Sequence, residues 1–169
     1  YNFDQLKNRF KNYKNIIFEN VAIGDKNELI DFFHVLESSI DKLKKHWASG
    51  IGSFSKEHIL KHRTKRFQIA EEDIKCIKIK AITFNKLIEK YKIEYINKLM
   101  IDAEGFDYNI IKSIDFKKIF IKEIIFEKKH LSTTFQIGSK LNEIKAFLAK
   151  EKYKLFDISK ENILAKKNK

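Results

Sequence analysis

Leu99-Met100-Ile101-Asp102-Ala103-Glu104-Gly105-Phe106-Asp107 sets two carboxylates and a glycine directly after a short apolar run. Buried strands of a parallel sheet read as continuous runs of this kind. Ligands of open α/β sheets bind at the carboxyl ends of such strands, where the chain turns into a helix. Asp102 then falls at a strand tip and Glu104 in the turn, and Gly105 permits the sharp bend. Two acids held there suit cofactor binding, proton transfer or a metal. The plainer alternative is a solvated loop leading into a helix whose N-terminus favours negative charge.

A second pair follows the apolar run Phe120–Phe126. Glu127 and His130 lie three residues apart in a turn, and a neutral imidazole near a carboxylate is a general-base arrangement. The alternative is a surface histidine beside Lys128 and Lys129. His58 and His62 have the four-residue spacing of metal ligands on a helix face. No Glu follows His58 as in H-E-x-x-H, and His62 falls past the expected helix end, so no metal is expected. Cys76, the only cysteine, sits in the largely alternating Ile74-Lys75-Cys76-Ile77-Lys78-Ile79-Lys80. It reads as a strand residue near a sheet face rather than a nucleophile.

The elements that must position these groups follow from apolar periodicity. Phe3, Leu6, Phe10 and Tyr13 predict an amphipathic helix over 3–13. Residues 16–23 and 29–36 read as strands joined through Gly24-Asp25-Lys26-Asn27, a hairpin-like excursion. His46 to Phe54 is a loop rich in small residues with the only Trp, a candidate lid or pocket wall. A short helix over 55–61 takes Ser55 as its N-cap, and 62–73 is a polar connection. From residue 74 strands and helices alternate: strands at 75–82, 98–102 and 120–127, helices at 84–91, 106–113 and 139–150, with Thr83 capping the first of these. Two short strands, 153–158 and 162–165, close the chain. Such alternation argues for a parallel or mixed sheet covered on both faces.

The chain has 169 residues, one domain by length. Hydrophobic residues make up 43% and aromatics 13%, which excludes a disordered chain. No apolar run approaches the length of a membrane span. A single cysteine allows no internal disulfide and fits a reducing, cytoplasmic setting. The net charge is +12, from 35 Lys plus Arg against 23 Asp plus Glu. This excess is mostly Lys spread along the chain. Only His62-Arg63-Thr64-Lys65-Arg66 and the tail Lys166-Lys167-Asn168-Lys169 are compact, so nucleic acid is not the expected partner.

Several blocks, in order, resemble the FkbM-type methyltransferase family. Asn20-Val21-Ala22-Ile23-Gly24-Asp25-Lys26 is similar to its N-x-A-L-G-D segment, and Ile82-Thr83-Phe84-Asn85-Lys86-Leu87-Ile88 to its x-T-L-D-x-L-L. Leu99 to Asp107 is similar to L-K-I-D-V-E-G-x-E, the most specific block. The Ser/Gly segment Ala48–Ser53 and the strand ending Ile124-Ile125-Phe126-Glu127 complete the set. Asn85, Met100 and Asp107 depart from the usual Asp, Lys and Glu. The resemblance implies a Rossmann-like, mostly parallel sheet with helices on both faces and S-adenosylmethionine-dependent O-methyl transfer to a small-molecule or glycan hydroxyl. It places Asp102, Glu104, Glu127 and His130 in catalysis, and Asn20, Val21, Ala22 and Asp102 at the cofactor.

Members of that family begin with a glycine-rich strand, turn and helix. The five glycines here, Gly24, Gly50, Gly52, Gly105 and Gly138, form no such segment. Residues 1–169 are therefore expected to be one partial domain lacking its first strands, inactive alone and completed by an N-terminal segment of the same protein. Loss of a central strand exposes apolar edges. The alternative is a non-catalytic binding module with a basic surface for nucleic acid or other anions.

Overall fold

The computed structural model describes residues 2–39, 51–61, 69–103, 105–128, 131 and 138–168. Along the chain these form α1 (Asn2–Arg9), β1 (Ala22–Gly24), β2 (Leu29–Val35), β3 (Gly52–Ser53), α2 (Lys56–Lys61), a 3-10 turn (Glu71–Asp73) and β4 (Ile74–Thr83). There follow α3 (Phe84–Lys90), β5 (Tyr95–Ile101), α4 (Asp107–Ser113), β6 (Phe120–Glu127), α5 (Ser139–Lys150), β7 (Lys154–Asp157) and β8 (Asn162–Lys166).

The strands do not join into one parallel sheet. They form two four-stranded mixed sheets, ordered β1-β4-β2-β3 and β5-β6-β8-β7. Of the six pairings among the described residues, only β1–β4 and β5–β6 are parallel. This corrects the expected mostly parallel Rossmann-like sheet, and the reasons are visible in the chain. Four residues join β7 to β8, and so short a link can only connect antiparallel strands. The Ile/Lys alternation of β4 is the signature of an antiparallel strand buried on one face. β4 indeed pairs antiparallel with β2, from Leu29↔Lys80 to Val35↔Ile74. The strand expected over 16–23 shortens to β1, and residues 16–20 carry no regular structure.

Among the described residues, helices cover one face of the second sheet, not two. Leu99, Ile124, Ala165 and Leu155 are in register across it. They pack into a core with Ile88 of α3, Ile111 of α4 and Ile144 and Leu148 of α5. The opposite face carries Met100, Ile125, Leu164 and Phe156 in register. Met100 is 70% and Phe156 49% exposed there, so no helix among the described residues covers that row. Beside it Glu123 lies between Lys98 (3.7 Å) and Lys166 (3.3 Å).

A smaller core of Val35, Ile51, Ile59 and Ile69 holds the first sheet against α2. Ser55 caps that helix, accepting from the His58 amide at 3.3 Å. His58 is fully buried. His62 and the basic cluster after it lie outside the described residues, as does Trp47. Cys76 is exposed on β4, its thiol donating to Asp31 Oδ1 across the ladder (3.5 Å). Asp31 also pairs with Lys78 at 2.8 Å.

Two polar clamps set α3 and α4. Thr83 caps α3, its Oγ1 accepting from the Lys86 amide at 3.1 Å. The Asn85 side chain donates to the Ser113 carbonyl (2.8 Å) and accepts from the Asp115 amide (3.1 Å). It thereby ties the start of α3 to the end of α4.

Candidate functional site

β1 ends its sheet and β5 ends the other. Between these two strands lies a cleft of about 440 Å³. Ala22 and Ile23 line one side, and Leu99, Ile101, Asp102 and Ala103 the other. Phe84 and Phe54 add to a wall that is chiefly apolar. Among the described lining residues Asp102 supplies the only charge, with its side chain exposed at the rim.

The wall is braced by aromatic edges. Phe54 meets Phe32 of β2 at 5.9 Å and Phe106, just before α4, at 4.7 Å, both edge to face. Such contacts are favoured by the ring quadrupole, and here they link the first sheet to the turn after β5. Gly52 makes room for this. A Cβ there would stand 2.3 Å from the Phe32 ring.

The approach to β1 is fixed from outside. The Glu19 carboxylate accepts hydrogen bonds from Lys90 Nζ and the Tyr91 hydroxyl at the end of α3. The Lys90 bond, then the Tyr91 bond, holds the Glu19 carboxyl below its usual range. Beyond β1, Asn27 Oδ1 accepts from the Thr83 amide at 3.0 Å.

The structure thus brings Ala22 and Asp102 to one cleft. Asn20 and Val21 precede β1 and are not among the residues lining it. Glu127 ends β6, the parallel neighbour of β5, in the register Ile101↔Phe126. Neighbouring parallel strands deliver their carboxyl ends to one crest. Glu104 and His130 lie outside the described residues. No group of three or more metal-ligating side chains occurs among the described residues.

One residue of the crest was missed from sequence. Asp107 opens α4 and is 1% exposed. Its Oδ2 accepts from the Ala103 amide (3.1 Å) and its Oδ1 from the Glu127 amide (3.3 Å). Desolvation raises its pKa, the backbone hydrogen bonds oppose that rise, and the charge of Asp102 adds to it. Gly105, at φ 96°, makes the bend that carries the chain from Asp102 into this helix. The sequence signal was an acid in a first helical turn, flanked by Phe106 and Tyr108. Its only sequence reading was as a departure from a usual Glu.

Comparison with known proteins gives one result. The model of the Methyltransferase FkbM domain matches residues 1–155. No curated protein and no solved structure matches. With most of its length inside that match, the chain belongs to the FkbM methyltransferase family.

Proposed function

We propose that this domain takes part in S-adenosylmethionine-dependent O-methyl transfer to a hydroxyl of a small molecule or glycan, at the crest between β1 and β5. The observation that carries the reading is the cleft itself, apolar along its walls and acidic at Asp102. S-adenosylmethionine, when bound, supplies a methyl group on a positively charged sulfur. The residues present fit part of that cofactor: Ala22, Ile23 and Leu99 offer an apolar wall for a purine ring. Asp102 presents a carboxylate that can orient the acceptor hydroxyl and take its proton. Holding the hydroxyl in line is an equal share of the work. Glu104, Glu127 and His130 are the further candidates for that proton.

We read residues 1–169 as part of a larger domain. Both rims of the cleft are edge strands, and open edges of this kind pair with further strands. A further segment of the same protein would cover these edges. It would also bring the polar contacts for the methionine end of the cofactor. No helix among the described residues is long and apolar enough to cross a membrane.

The test is calorimetry and methyl transfer side by side. The 169-residue chain should bind S-adenosylmethionine weakly or not at all. The protein translated from the complete reading frame should bind it and pass a labelled methyl group to hydroxyl acceptors. Absence of binding by the complete protein would overturn the methyltransferase reading. Tight stoichiometric binding by the 169-residue chain would overturn the partial-domain reading.

A further inference from the structure

The geometry points to Asp107 as a positioning residue that locks the tips of β5 and β6 together. The lock is one buried carboxyl group with two backbone donors, the amides of Ala103 and Glu127. Ala103 follows Asp102 directly, and Glu127 is the last residue of β6. Two strand ends that meet at the crest are therefore referred to a single side chain. Its inference of a role in methyl transfer rests on the reading given above; the lock itself does not.

The chemistry of the lock is specific. Each oxygen faces an N–H, so both must accept, and the stem must be short. A carboxylate accepts more strongly than a neutral acid, so the grip on both amides follows one ionisation. The charged groups at this crest, among the described residues, are Asp102 at the tip of β5 and Glu127 at the end of β6. An Asn in place of Asp107 could accept at one oxygen only and would turn an NH₂ toward the other amide. Asp102, one residue from the held amide, is the group whose direction depends on this grip.

Nuclear magnetic resonance on the nitrogen-15-labelled complete protein tests it. In the unaltered protein the amide shifts of Ala103 and Glu127 should follow one common titration curve, with a midpoint above the usual carboxylate value. Asp107→Asn should abolish the shared curve. Asp107→Ala should speed hydrogen exchange at both amides by roughly tenfold, as loss of a buried hydrogen-bond acceptor implies. Asp102→Asn should leave the shared curve in place. Different midpoints for the two amides, or a shared curve that survives Asp107→Asn or vanishes in Asp102→Asn, would overturn the proposal. The unaltered protein supplies the first readout even if a variant fails to fold. Because no readout uses methyl transfer, failure of the enzymatic reading leaves this test intact.

Discussion

At the scale of residues, Asp102 and Asp107 are two acids with opposite surroundings. Asp102 is exposed at a cleft rim, free to meet a ligand. Asp107 is buried and committed to two amides. Asp102→Asn keeps size and hydrogen-bonding capacity and removes the charge. In the complete protein it should lower turnover by about 100-fold, within the range of a lost acid–base group, and more than it weakens cofactor binding. Steady-state kinetics against the calorimetric affinity separates the two effects. Asp107 gives a prediction with a sign. Its folded pKa is raised, chiefly by desolvation, so the folded state holds the proton more tightly than the unfolded chain. Its contribution is full below the unfolded carboxylate pKa, about 3.9. It is lost as pH rises through the folded value. Denaturant midpoints taken across acidic pH should show this fall in the unaltered protein, and Asp107→Asn should lack that share of it.

At the scale of elements, Asn85 shows what a departure from a family pattern can mean. It donates to one backbone group of the α4 end and accepts from another. An Asp there could only accept. Asn85→Asp should cost about 1–3 kcal/mol by leaving the Ser113 carbonyl without its donor, read as a lower denaturant midpoint. Much of this level was legible in the sequence. The periodicities over 120–127 and 139–150 match β6 and α5, because a long apolar pattern identifies an element without its neighbours. Thr83 and Ser55 as caps were legible for the same local reason. The sheet was not. An apolar run says that a strand is buried, and pairing direction depends on the connection between strands. β7 and β8 carried that information in their four-residue link. The crest was half legible: Asp102 stood out as an acid ending an apolar run. Asp107 did not, because its second amide comes from Glu127, a contact that no local pattern encodes.

At the scale of the whole molecule, the lysine excess is spread rather than gathered. Lys75, Lys78 and Lys80 line the exposed part of β4, while Lys98 and Lys166 are drawn to Glu123. Such a surface attracts polyanions without reading them. Binding to duplex DNA should be weak, insensitive to sequence and steeply reduced by salt. A fluorescence-anisotropy titration at two salt concentrations measures this, and a complex that survives high salt would favour the basic-surface module instead. The lone thiol has a practical bearing on how the two sheets can be watched. Cys76 stands on β4, the strand flanked by β1 and β2. Desolvation and then its hydrogen bond to Asp31 raise its pKa, so the reactive thiolate is scarce near neutrality. A maleimide dye would attach slowly at neutral pH and faster in mild alkali. Once attached, it would be a single built-in beacon on the first sheet. Energy transfer from that beacon to a second dye on the other sheet would report any change in the distance between the two sheets.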